Sequence, residues 1–176
     1  RDNVGVHVGA IWANVSLNMR DVAILGNEGE YPGIEPVRIH SEEDMIWENL
    51  TVAGQIGRRP FNNPCLRGSF EEDSRLILRN CLIYGNENNE VSVGGGTFGF
   101  SYSLIEGGRD AVIGQDVNWG EGNLDEDPLF TDPDNGDYSL NVESPCIDAG
   151  DPESDLDPDG TRADMGAFPF FQGGVI

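Results

Sequence analysis

The chain of 176 residues contains no lysine: all ten of its basic residues are arginines, set against 32 Asp and Glu, for a formal net charge of −22. That imbalance excludes two partner classes. A nucleic-acid phosphate backbone would be repelled, and so would an anionic membrane surface. No hydrophobic run is long enough to span a bilayer, so membrane insertion is not expected. Histidine is nearly absent: His7 and His40 stand far apart with no neighbouring ligand pattern, and both read as solvated or hydrogen-bonded side chains. Only three cysteines occur, Cys65, Cys81 and Cys146, at spacings that match no zinc pattern. They are either buried thiols or one disulfide with a thiol left over.

What the chain has in abundance is Asp, Gly and Pro in its last third. From Asn123 to Phe171 acids fall on Asp125, Glu126, Asp127, Asp132, Asp134, Asp137, Glu143, Asp148, Asp151, Glu153, Asp155, Asp157, Asp159 and Asp164, with Arg162 the only base. Pro and Gly every few residues forbid a long helix. Short apolar anchors survive between them, at Leu129-Phe130, Tyr138, Leu140, Cys146-Ile147 and Met165 to Phe168. A disordered acidic tail would lack such anchors, so an ordered module of tight turns is expected.

Before that module the chain repeats itself. LNMRDVAILGN (17–27), MIWENLTVAGQ (45–55), LILRNCLIYGN (76–86) and FGFSYSLIEGG (98–108) align without gaps. Leu17, Met45, Leu76 and Phe98 share a column, as do Met19, Trp47, Leu78 and Phe100. Asp21, Asn49, Asn80 and Tyr102 form the next, and Gly26, Gly54, Gly85 and Gly107 close each unit. Apolar residues alternate within a unit, slip by one at the Asp/Asn column and resume. That pattern predicts a strand, a bend and a second strand. Asn and Asp tolerate the left-handed conformation of such a bend. Parallel stacking of the units would set like over like and let an Asn ladder satisfy its own amides.

LILRNCLIYGN and its partners resemble the repeats of right-handed parallel β-helix proteins. The C-terminal series resembles something narrower. Trp119-Gly120, Asp127-Pro128-Leu129-Phe130, Gly136-Asp137-Tyr138-Ser139-Leu140, Ser144-Pro145-Cys146-Ile147-Asp148-Ala149-Gly150 and Asp157-Pro158-Asp159-Gly160-Thr161-Arg162-Ala163-Asp164-Met165-Gly166-Ala167-Phe168 look like the C-terminal module of secreted bacterial β-helix proteins. The resemblance implies an all-β fold, a right-handed parallel β-helix (solenoid) with an Asp-rich, loop-rich C-terminal cap. It also implies a secreted, extracellular or cell-surface setting in bacteria. The expected division is 1–116 for the repeats and 117–176 for the capping module, within one structural domain. Val4, Val6 and Val8 suggest a first strand; 28–36 and 56–70 read as loops. The chain begins at Arg1 without Met or a signal peptide, which reads as a mature product or a fragment. The closing Gln172 to Ile176 reads as the start of a linker in a longer parent.

Calcium is the cofactor expected. Asp155, Asp157 and Asp159 alternate before Gly160, and the Thr161 carbonyl and Asp164 side chain complete an oxygen set suited to a hard cation. The acid an EF-hand needs at loop position twelve is replaced by Gly166, so this is no EF-hand. The competing reading makes these residues Asp-led turns with Arg162 neutralising one of them. A second acidic run, Asp132 to Asp137, reads first as a plain turn. Catalysis is the rival class: a polysaccharide lyase would need Arg58, Arg59, Arg67 or Arg109 as base, and a glycoside hydrolase a defined carboxylate pair. Trp47 reads as core, and Trp12 and Trp119 as end packing or sugar stacking. Asn14-Val15-Ser16 and Asn49-Leu50-Thr51 match a glycosylation sequon. The function expected is a non-catalytic structural or adhesive segment. Its partners would be further repeats of a parent chain, other copies joined end to end through open edges and the aromatic tail, or an extracellular polysaccharide.

Overall fold

A computed structural model describes residues 4–5, 11–13, 18–29, 34–36, 44–57, 64–87 and 91–173. His7, His40, Arg58, Arg59, Leu17, Val6, Val8, the Asn14 sequon and the tail residues Val175 and Ile176 lie outside them, as does the side chain of Trp12. Among the described residues the secondary structure is strand, with two short 3-10 turns at Gly108–Ala111 and Pro133–Asn135. No helix there is long and apolar enough to cross a membrane.

The repeat columns become strand register. Met19 faces Trp47 and Val22 faces Leu50 in one parallel pair; Met45 faces Leu76 and Trp47 faces Leu78 in the next. Leu76 then faces Phe98 and Leu78 faces Phe100. Asp21, Asn49, Asn80 and Tyr102 all have φ between 48° and 55°, the left-handed bend the alternation slip predicts. The bend divides the long strand Met45–Ala53. Before Asn49 it pairs with Arg75–Arg79; after it, with Leu82–Tyr84.

The right-handed parallel β-helix is nevertheless not what forms. The strands fall into four separate sheets, of three, seven, five and two strands, with no closed or coiled arrangement among the described residues. Matched columns demand only parallel, in-register pairing of the long segments. They do not oblige the connecting segments to continue the winding. Those connections, expected as loops, carry short parallel strands of their own. Val4–Gly5, Glu28–Gly29 and Ile56–Gly57 make the three-stranded sheet. Val112–Ile113, Val91–Gly94, Leu66–Ser69, Ile34–Pro36 and Ile11–Ala13 make the five-stranded one, in that spatial order.

The main core draws on both large sheets: Met45, Trp47, Leu50, Leu76, Leu78, Phe98 and Phe100 from the seven-stranded sheet, Leu66, Val91 and Val112 from the five-stranded one. Burying a side chain of this size contributes about 1.5–3 kcal/mol, which makes these ladders the main stabilising term. Leu82 and Leu104 point the other way, as alternation requires. They meet Leu140, Cys146 and Met165 of the Asp-rich module in a second cluster.

From Phe130 onward the module therefore lies along the side of the repeats, while its first strand, Val117–Trp119, pairs with Phe98 to Phe100 at the end of the seven-stranded sheet. Its hairpin, Phe130–Asp132 with Asp137–Leu140, is the one antiparallel pair among the described strands. Its later turns run over the bend column. Asp151 N–H donates to Asn80 Oδ1 at 2.7 Å, Gly166 N–H to the Asn80 carbonyl at 2.7 Å, and Ala167 N–H to Thr51 Oγ1 at 2.9 Å. The expected Asn ladder explains the docking point. Asn49 Nδ2 donates to Asp21 Oδ1 and Asn80 Nδ2 to Asn49 Oδ1. The next residue in the column is Tyr102, which has no amide to offer, so the Asn80 Oδ1 is left for Asp151.

Asn80 is fully buried, and its bend requires positive φ. Asn80→Gly keeps the backbone conformation but strands the Asp151 N–H, with an expected loss of about 2 kcal/mol. Asn80→Ala adds the cost of a left-handed Ala, about 1 kcal/mol more. Urea unfolding of both variants checks this ordering. An Ala variant as stable as the Gly variant would remove the bend from the account.

Candidate functional site: the acidic turns

The module's acids act first on its own backbone. Asp127, Asp137, Asp151 and Asp159 each accept the N–H of the residue two further on, at 2.9, 3.1, 2.9 and 3.1 Å. These are Asx-turns, in which the side chain replaces a backbone acceptor. Acids nearer the repeats do the same across strands: Glu106 accepts from Gly85 N–H and Asp125 from Gly107 N–H, both at 2.8 Å.

The five ligands expected for calcium part company. Asp155 turns to Arg20 at 2.7 Å, with its side chain 81% exposed, and stands apart from the others. Thr161 uses its carbonyl to accept Asp157 N–H and its hydroxyl to donate to Asp159 Oδ1. Asp159 Oδ2 accepts Gln172 N–H, and this bond, with those from Thr161, holds its carboxyl below the usual range. Asp157 Oδ2 accepts Asp164 N–H at 2.9 Å. Asp164, 3% exposed, accepts Asp148 N–H on one oxygen and Phe170 N–H on the other. Arg162 neutralises none of this group. Its Nε donates to the Gly150 carbonyl and its guanidinium lies 5.8 Å from the Tyr102 ring centroid.

Three of the five, Asp157, Asp159 and Asp164, do converge, and sequence reasoning missed the fourth member. Asp148 Oδ2 accepts Gln172 Nε2 at 2.7 Å, while its Oδ1 is buried without a hydrogen-bond partner. Its backbone is left-handed, φ 53°. The spacing within 155–164 gave no reason to look back to 148. Burial pushes Asp157 up to about 6, with repulsion from Asp164 next in weight after it. Burial raises Asp164 as well. These raised values and the orphaned Asp148 oxygen describe a pocket of negative charge without full compensation. As placed, no three His, Cys, Asp or Glu side chains among the described residues are grouped closely enough to hold a metal ion.

The other candidates resolve into structure. Asp132 to Asp137 is the hairpin's connection, a 3-10 turn at Pro133–Asn135 in which Asn135 Nδ2 donates to Asp132 Oδ2. Arg109 donates to the Val112 carbonyl at 2.7 Å, and Arg67 sits exposed on the five-stranded sheet. Trp47 is core at 1% exposure, and Trp119 packs on Phe100 at 5.7 Å between ring centroids. Asn49 sits in the ladder. The three cysteines are free and buried, and burial pushes each thiol up to about 12. A further polar ladder went unseen in the sequence. Asn27 donates to Gln55 Oε1, Gln55 N–H to Asn86 Oδ1, and Asn86 Nδ2 to the Val52 carbonyl. It follows the glycine column with the same spacing, which was the signal available.

Two outcomes follow. An acid whose folded value is raised stabilises the fold below its unfolded value and loses that contribution as pH rises through the folded one. With calcium chelated, stability should therefore fall from about pH 4 to about pH 6. Asp157→Asn keeps an acceptor for Asp164 N–H, so thermal melts should show a flatter profile, matching the parent at low pH and exceeding it at neutral pH. The thiols should stay unreactive towards an aromatic disulfide reagent until denaturant is added, because the thiolate is the reacting form.

No family model matches the chain, and neither a curated protein nor a solved structure does.

Proposed function

We propose that the chain is a non-catalytic structural and adhesive segment of an extracellular or cell-surface bacterial protein, with calcium held in its acidic turns. The observation that carries this reading is the use made of the carboxylates. Asp127, Asp137, Asp151 and Asp159 each accept a backbone N–H in a turn, and the module is fastened along the bend column through Asn80 and Thr51. Such an arrangement stiffens a β-rich segment. The location rests on the resemblance of the Asp127 to Phe168 series to secreted bacterial modules.

Calcium in this proposal sits among Asp148, Asp157, Asp159 and Asp164, the set with the orphaned oxygen, and not on Asp155. The cation would supply positive charge where Asp157 is raised by burial and by repulsion from Asp164, and Asp164 by burial and by repulsion from Asp148 and Asp159. Partners are further β-units of a parent chain. Contact between identical copies at the last parallel strand, Val117–Trp119, is disfavoured by Asp116, Glu121 and Asp125 around it, since acids on an edge repel a like edge.

The test is a melting temperature with calcium and with chelator at fixed ionic strength. Millimolar calcium on a micromolar site adds roughly 4 kcal/mol. The expected result is a clear drop on chelation, abolished in Asp148→Asn. An unchanged melt removes calcium. Release of reducing ends from an extracellular polysaccharide by the purified chain would replace the structural reading with the enzymatic one.

A further inference from the structure

A second feature of the module owes nothing to the calcium set. Between its hairpin and the turn at Tyr84–Gly85 lies an open cleft of about 480 Å³. Its walls are Tyr84, Leu129, Phe130 and Tyr138. Phe130 meets Tyr138 edge-on at 5.2 Å between ring centroids and 86° between planes, and Tyr84 at 6.3 Å and 74°. All three rings are half-buried, so each still presents surface. A neighbouring cleft of about 460 Å³ shares Pro133, Asp134 and Tyr138 with the first.

Every ionised group on the rim is negative: Asp127, Asp134 and Glu143, exposed and without an Arg or His among the lining residues. Asp127, Glu106 and Asp125 lie near enough to add to the effect of burial in raising the Tyr84 phenol. An anionic ligand, uronate or phosphate, is repelled here. A hydrated metal ion gains nothing from aromatic walls, and a neutral sugar can stack on the rings and donate its hydroxyls to the acids but gains nothing from their net charge. The group that uses both walls and rim carries a positive charge spread over apolar carbon. It is weakly hydrated, it is attracted to the faces of aromatic rings, and it needs no directed hydrogen bonds.

The turn that builds the opening supports this. Leu129 is held at φ 52° by Asp127 Oδ1 accepting its N–H and by Asn141 N–H bonding its carbonyl. Glycine would suit that conformation better. The leucine side chain instead stands 37% exposed at the cleft.

We propose that the cleft walled by Tyr84, Leu129, Phe130 and Tyr138 and rimmed by Asp127, Asp134 and Glu143 binds a small soluble organic cation of the quaternary ammonium type. The probe is choline, paired with its neutral isostere 3,3-dimethylbutan-1-ol, each titrated calorimetrically into the full chain with calcium chelated. Choline should bind one to one, and the isostere about tenfold more weakly or worse, because it keeps the shape and loses the charge. The double variant Asp134→Asn with Glu143→Gln should weaken choline by a similar factor while its melting temperature stays that of the parent. The proposal falls if choline gives no saturable heat, if the isostere binds equally, if the double variant binds unchanged, or if glucose binds where choline does not. Failure here leaves the structural reading standing, since that reading depends on the Asn80 contacts and the chelation melt.

Discussion

The left-handed bend shared by Asp21, Asn49, Asn80 and Tyr102 is the constraint on which the rest of the structure depends. A bend at one register position in successive parallel strands lets each strand serve two directions of pairing. It sends Trp47, Leu78 and Phe100 into the core and, just beyond, turns Leu82 and Leu104 out towards the Asp-rich module. The side-chain ladder along the bends pairs the Asn49 amide with the Asp21 carboxylate and the Asn80 amide with that of Asn49, so burying Asn80 leaves few polar atoms stranded. Where the ladder meets Tyr102 it ends, and the unspent Asn80 oxygen becomes the point to which the module is tied. The break in the repeat is thus what recruits the last third of the chain.

The acidic composition has two different consequences. Most of the module's carboxylates are exposed, so their charge stays in water, and those of Asp127 and Asp137 also accept local N–H groups and shape turns. The Arg20 to Asp155 ion pair contributes little: it is short, but both side chains are more than half exposed. Asp148, Asp157 and Asp164 differ because burial acts on like charges held together. There the fold tolerates an electrostatic cost, visible in the raised Asp157 and in an oxygen without a donor. The aromatic cleft is a third environment, with acids at the rim and carbon at the walls. The last two differ accordingly in the cation proposed for each, a hard ion for the carboxylate set and a diffuse organic cation for the cleft.

Tyr138 links these regions. Its ring packs on Phe130, and its hydroxyl lies where a Cβ on Gly54 would have to go, 1.9 Å from that position. Gly54, with φ 66°, is also the residue that closes the second repeat unit. The glycine column thus serves the turns of the parallel sheets and, at this one position, admits a side chain of the module to the backbone of the repeats.

The sequence by itself determined the strand-bend-strand unit, the columns and the left-handed residues, because period-two burial and the φ tolerance of Asn and Asp act over a few residues. It also determined that the Asp-rich stretch would be ordered, through its spaced apolar anchors. It did not determine how the sheets close. In-register pairing of long segments constrains neighbours along the stack and says little about the connections, so the expected solenoid gave way to separate sheets. Nor could it show that the module would lie along the side, because that depends on Tyr102 leaving Asn80 unpaired, a contact 71 residues apart. The acidic set followed the same rule. Local spacing brought forward Asp155, which tertiary structure gave to Arg20, and passed over Asp148, which it brought in through Asp164 and Gln172.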